Sequence, residues 1–291
     1  MSTYLQLVLT SFFWAATFHF GKYAVALMPP LAVGIWRFLL GGLALVPIVL
    51  LREPLHFGNL RRNLLPLLAM GVIGIGGFNL GMFYGLKRTS ALNAALIMAF
   101  MPAMIVALAA WLQRERIGWV RGIGMGLGLA GVIVVVSGGS WRTLVGLSFS
   151  RGDLLLLAAS ACWALYSVIP GRFVRGLGPL QIAGSTIVIG TLAMLGFALL
   201  ALPAALVWPP LPAWPALAFM GVCATAVAYL WWTRGVGRVG AQRAALFMNL
   251  TPVLTALIGT ALGEPTSGAQ VAGAVLVIAG LLFAARGAAA R

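Results

Sequence analysis

The sequence predicts an all-α integral membrane protein: ten transmembrane helices arranged as two inverted five-helix repeats. Three observations predict it. Of 291 residues, 62% are hydrophobic and only 8% charged, whereas a soluble domain carries about 25% charged residues. The chain divides into apolar runs of the length that spans a bilayer, about 20 residues. It also matches itself at a shift of 149 or 150 positions.

Taken in order, breaks at Pro, Gly and charge clusters place the spans at 4–27, 31–51, 64–86, 91–112, 117–137, 152–171, 180–201, 213–233, 244–262 and 269–286. Met1-Ser2-Thr3-Tyr4 has no basic n-region, so the first run reads as a full span and not as a cleaved leader. Pro29-Pro30 and Gly178-Pro179 leave almost no loop, so the helices flanking each joint form antiparallel hairpins. The fifth span carries Gly118, Gly122 and Gly126, plus Gly124 and Gly128, at four-residue spacing. Small residues at this interval let helices approach closely, within the bundle or in a homodimer. Glu115 and Glu264 sit at span boundaries, and Glu264-Pro265 reads as a helix start. The runs are too long to be the strands of a membrane barrel, which have about 10 residues each.

The formal charge of +15 does not mark a nucleic-acid binder, because the basic residues lie in short tufts between apolar runs. With the N-terminus inside, one side collects Arg52, Arg61, Arg62, Arg114, Arg116, Arg121, Arg172, Arg175, Arg234, Arg238, Arg243, Arg286 and Arg291. The other side receives Lys87, Arg88, Arg142 and Arg151. The positive-inside rule therefore predicts an inner (plasma) membrane protein with both termini cytoplasmic. Lys22 and Arg37 fall within spans. Cys162 and Cys223 lie in apolar runs and support neither a disulfide framework nor a metal site.

The internal match runs across a whole half. Ser11 to Ala15 meet Ser160 to Ala164, Pro30-Leu31 meets Pro179-Leu180, and Glu115 meets Glu264. Gly85, Arg88, Ala91, Ala94 to Leu96, Met98 and Pro102 meet Gly235, Arg238, Ala241, Ala244 to Leu246, Met248 and Pro252. The first repeat takes 1–137, a linker 138–151 and the second repeat 152–291. Five spans per copy is odd, so the second copy enters the membrane from the opposite side. Secondary transporters use this inverted arrangement to hold a substrate site near the midplane.

These residues resemble the drug/metabolite transporter superfamily, and within it the EamA family. The resemblance lies in the paired Trp14 and Trp163, the Ala-rich helices with Pro102 and Pro252, and the segments Glu115 to Gly131 and Gly263-Glu264-Pro265 to Gly280. The chain most resembles YddG-type amino-acid exporters, including those that handle aromatic amino acids. The resemblance implies a ten-helix inverted-repeat bundle with a central cavity and a peripheral fifth helix in each half.

Candidate substrate-binding residues follow from position. Trp14, Phe18 and Lys22 share a face of the first helix, and Trp163, Ser167 and Gly171 the matching face of the sixth. A mid-membrane indole needs a partner for its N–H, which turns both tryptophans inward. Lys22 and Arg37 flank the Pro29-Pro30 turn at one depth, where they either attract a carboxylate or snorkel to the interface. His19 either relays protons or bonds a neighbouring helix. Phe78, Asn79 and Met82 on the third span face Tyr229 and Trp232 on the eighth, and Asn79 either bridges helices or meets the cavity. Met98, Met101 and Asn249 complete an adaptable lining for amphipathic molecules. Pro102 and Pro252, mid-helix, are candidate hinges or static kinks.

Absences narrow the function. No acidic residue lies in the middle of a span, which argues against cationic drugs and against proton coupling through a carboxylate. No Walker motif, catalytic triad or metal cluster is present, so neither ATP drive, an enzyme nor a cofactor is expected. The expected function is export of amino acids, aromatic or bulky and neutral, and related metabolites by facilitated alternating access. The expected partners are the small-molecule substrate and the lipid bilayer. The alternatives are the same fold with an organic anion, nucleobase or drug as cargo, or a channel or structural bundle.

Overall fold

Apolar runs that end at Pro or Gly form long helices here because a bilayer leaves the backbone no other partner for its polar groups. The computed structural model describes residues 1–53, 57–86, 88–89, 97–114, 118–145, 150–201, 203–263 and 267–286. The expectations for Lys87, Ala91, Ala94 to Leu96, Glu115, Arg116, Glu264, Pro265 and Arg291 lie outside these residues. Among the described residues the secondary structure is helical throughout, with no strand.

Helix α1 (Thr3–Leu27) starts at Ser2, whose Oγ accepts the Leu5 N–H, and stops before Pro29-Pro30. Helix α2 (Pro30–Arg52) follows at once, with Pro30 in its first turn, where no N–H is needed. A short α3 (Phe57–Arg62) precedes the third span, which is built from α4 (Leu64–Leu68), a π-helical segment (Ala69–Gly77) and α5 (Phe78–Leu86). Then come α6 (Met101–Gln113), α7 (Trp119–Ser137) and the short α8 (Trp141–Val145).

Helix α9 (Arg151–Phe173) opens on a capping box between Ser150 and Asp153. Helix α10 (Pro179–Ala201) follows after a short loop but packs chiefly on α2 and the first π-helical segment, meeting α9 at the Tyr166–Thr186 hydrogen bond, so the hairpin expected at Gly178-Pro179 is not a closely packed one. The eighth span again has three parts: α11 (Trp214–Gly221), a π-helical segment (Val222–Val227) and α12 (Ala228–Val239). It runs six residues beyond the expected end at 233, to Gly240, whose φ of 83° turns the chain directly into α13 (Ala241–Met248). Finally α14 (Leu250–Ala261) and α15 (Gly268–Arg286) close the described chain.

Six of these helical runs are long and apolar enough to cross a membrane: Pro30–Arg52, Leu64–Met82, Arg151–Phe173, Pro179–Ala201, Leu211–Val239 and Ala241–Ala261. Trp111, Trp119, Trp141 and Trp208 lie exposed at or just beyond helix ends, as expected of indoles at a membrane interface. Inside, hydroxyls are satisfied by their own helix: Thr10, Thr186, Thr191 and Thr233 each donate to the carbonyl four residues back.

Glycines set the helix crossings, and the crossings come in pairs. A methyl at Gly41 of α2 would sit 2.6 Å from Thr225 Cγ2, and one at Gly221 would meet Leu40 and the Arg37 carbonyl. At the shifted positions, Gly190 of α10 is closed by Ile75, and Gly71 by Ile189 and the Thr186 carbonyl. Gly85 receives Leu156, while Gly235 receives Leu7. Gly124 and Gly131 of α7 lie against the Gly280 and Gly273 backbones of α15. The glycines of the fifth span therefore divide: this pair packs inside the molecule, whereas a methyl at Gly122 or Gly126 meets open space.

Candidate substrate site

Five elements bring large aromatic rings together at the middle of the bundle. Trp14 from α1 lies 5.2 Å from Trp163 of α9, edge to face, and 5.4 Å from Trp232 of α12. Tyr229 of α12 sits 5.4 Å from Trp163 and 5.6 Å from Phe38 of α2. Phe78, at the end of the first π segment, lies 5.5 Å from Trp163. Tyr166, one turn on from Trp163, stacks on it at 5.1 Å and 14°. Offset and edge-to-face pairs of this kind hold rings rigidly.

The polar groups around the rings follow from the π-helical segment of the eighth span. The Ala224 carbonyl accepts both Trp14 Nε1 at 3.1 Å and Arg37 Nη2 at 3.3 Å. Arg37 Nε also donates to Thr225 Oγ1 at 2.8 Å, so its charge is anchored between α2 and the π segment. By contrast, the indole N–H groups of Trp163 and Trp232 are buried with no partner.

The other expected site residues separate. Phe18 and Lys22, on the Trp14 face, are exposed, and Lys22 does not share the anchoring of Arg37. His19 Nε2 donates to the Thr255 carbonyl at 3.1 Å, tying α1 to α14. Ser167 is buried and donates to the Trp163 carbonyl. Asn79 donates to the Ile75 carbonyl of its own π segment, a third solution beside the bridging and cavity-facing roles expected for it. Met82 is half-buried, Met101 is buried in the main core, and Met98 packs against that core. Asn249 is buried against Gly128 of α7 and belongs to that contact. Pro102 and Pro252 lie just after breaks at Phe100 and Asn249, so each stands in the first turn of a new helix and not within a continuous one.

A cavity of about 650 Å³ lies at the end of the bundle where α1 begins, the basic end. It is lined by Pro170 and Gly171 of α9, Val174 and Leu177 of the following loop, Pro179 and Ile182 of α10, and Thr233, Arg234 and Arg238 of α12. Of the residues on the candidate faces Gly171 lines it, while Ser167 and Trp232 are a turn or less away in sequence and the other candidates lie elsewhere. The middle itself is filled, with Trp163, Tyr166, Tyr229 and Trp232 all buried. Ring packing has drawn in the side chains expected to line an open centre. Sequence reasoning missed Tyr166, Phe38 and Thr225. The three-residue step from Trp163 to Tyr166 was a legible signal, but nothing local marked the other two.

The family model described as "EamA-like transporter family" matches residues 1–137 and again 150–286. An uncharacterized transporter of Bacillus subtilis, YyaM, is 38% identical over 98% of this chain and 93% of its own. The aromatic amino acid exporter YddG of Ancylobacter novellus is 27% identical over 75% of each chain. A solved crystal structure superposes with a TM-score of 0.82 at 26% identity, covering 97% of this chain and 96% of that one.

Proposed function

The chain belongs to the EamA-like transporter family, and from that premise we propose that it exports aromatic or bulky neutral amino acids and related small metabolites by alternating access. It is a multi-pass membrane transporter of small molecules and not an enzyme. The carrying observation is the pair of unpartnered indole donors, Trp163 and Trp232, among stacked rings. A buried donor without an acceptor costs about 1–3 kcal/mol. A substrate carboxylate or carbonyl that reaches them relieves that cost, while the ring faces of Trp14 and Tyr229 take an apolar or aromatic side chain. Arg37 supplies the neighbouring cation, and exposed Lys22 a first contact from the opposite end. The exporter relative with aromatic cargo supports the same class.

In this reading the halves 1–137 and 152–291 are inverted five-helix repeats, joined by 138–151, ten spans in all. The paired glycine crossings, related by shifts of 149 or 150, support it. The ring cluster is the closed middle, which opens toward one end at a time, with the helix breaks before Pro102 and Pro252 as hinges. The bundle sits in the plasma membrane with its basic end and both termini cytoplasmic. Flux is facilitated, since the described carboxylates, Glu53 and Asp153, stand at span ends.

Counterflow of labelled amino acids into proteoliposomes, across a panel and with or without a pH gradient, tests the proposal. Trp163→Ala should lower saturable counterflow about tenfold, equivalent to roughly 1.4 kcal/mol, while the protein stays monodisperse. Full activity in that variant removes Trp163 from the site, and flux that vanishes with the pH gradient removes the facilitated mechanism.

A further inference from the structure

The basic-end cavity is built differently from the ring cluster. Its volume of about 650 Å³ falls in the range of small-molecule sites, about 300–1,000 Å³. Pro170, Val174, Leu177 and Ile182 make its walls apolar, and α12 presents Arg234 and Arg238 one turn apart. No ion pair occupies either arginine among the described residues, and Arg238 donates to the Thr3 hydroxyl. Glu53, the described carboxylate at this end, packs against Gly178 and is not part of the lining. Helix α10 starts at Pro179 on the cavity wall, but its positive end is already met by the Glu53 carboxylate beside Gly178, so the two arginines supply the cavity's positive charge. A methyl at Gly237 would meet nothing within 4 Å, which leaves room beside the arginines.

The wall is also fixed in place. Buried Asn63 donates to the Arg175 carbonyl at 2.8 Å and accepts the Arg175 N–H at 2.9 Å, and Asn59 donates to the Gly176 carbonyl. Arginines that only orient a bundle need nothing more than water at the membrane surface. These two instead share a built cavity with an apolar wall.

We propose that this cavity binds an amphipathic anion, its acidic head on Arg234 and Arg238 and its apolar body against Val174, Leu177 and Ile182. The head belongs either to a soluble organic acid or to an anionic lipid. Binding of phenylacetate to the full chain in phosphatidylcholine nanodiscs, measured by equilibrium dialysis, tests it. Phenylacetate should bind saturably and phenethylamine should not. The Arg234→Gln/Arg238→Gln variant should lose about tenfold or more in affinity, as expected for charge-assisted hydrogen bonds, and the double Lys variant should lose less. Gly237→Trp, which fills the space beside the arginines while keeping their charges, should also abolish binding. Phosphatidylglycerol in the nanodisc that displaces phenylacetate identifies the resident as a lipid; failure to displace it identifies a soluble acid. Absence of saturable phenylacetate binding, equal binding of phenethylamine, or unchanged affinity in the Gln and Trp variants overturns the proposal. The readout is binding and not flux, so its failure is distinct from failure of the export reading.

Discussion

Trp14 and Trp232 are both indoles deep in membrane helices, yet their N–H groups meet different fates. Trp14 reaches the Ala224 carbonyl, which the π-helical segment turns toward α1, whereas Trp232 has no acceptor. Trp232→Phe deletes a donor that costs about 1–3 kcal/mol when unsatisfied and keeps most of the ring packing. The expected outcome is an unchanged or higher melting temperature in detergent together with several-fold lower counterflow. A destabilised variant with normal flux would show that the donor serves the fold alone. Arg37 illustrates the opposite case. Its charge is held by Thr225 and Ala224, so it cannot snorkel freely as a long side chain near an interface otherwise does. The partners of Trp14 and Arg37 lie 210 and 188 positions away, which no local pattern encodes.

The same two devices recur among the helices of both halves. The third and eighth spans are each interrupted by a π-helical segment, Ala69–Gly77 and Val222–Val227, and such segments gather at functional sites. The fourth and ninth each break just ahead of a proline. Glycine spacing on the fifth span was legible, but only packing distinguishes its two faces. Gly131→Leu should cost about 1–3 kcal/mol or more through overpacking against Gly273 and Val277, read as a clear drop in melting temperature. Gly122→Leu should leave that temperature within a degree or two. If the outer row is a dimer seam, Gly122→Leu converts dimer to monomer by light scattering; if it is not, the oligomeric state stays unchanged.

Across the whole molecule, the two ends are closed by different chemistry. At the basic end, Asn63 and Asn59 grip the Arg175-Gly176 backbone through directional hydrogen bonds. At the opposite end, Met28, Ala32 and Val33 pack on Ala213, Leu217 and Met220, and the Trp36 indole beside them donates to the Val207 carbonyl at 2.9 Å. Three amide hydrogen bonds hold the basic end against one indole bond at the other, so the basic end is the more directionally fixed of the two closures. Asn63→Ala removes two bridging hydrogen bonds worth about 0.5–1.5 kcal/mol each. It should raise maleimide labelling of a cysteine introduced at Gly171 several-fold in proteoliposomes. Unchanged labelling would mean that the latch does not gate this cavity.

By itself the sequence determined that the chain lives in a membrane, where its helices run and that it carries an internal repeat. Composition, span length and self-similarity are properties of the chain alone, and the hydrophobic effect and backbone satisfaction turn them into helices without reference to neighbours. Trp14 and Trp163 were legible as a pair through the repeat, and Tyr229 and Trp232 as a second pair three residues apart on one helix face. Only the tertiary structure decided that their rings close on one another, that Asn79 and His19 bond backbone carbonyls, and that Asn249 packs on α7. It alone placed the open volume beside Arg234 and Arg238, which in sequence looked like markers of orientation. The physical reason is that a cavity and a buried donor's partner are properties of several helices at once, set by crossings that glycines far apart in the chain permit.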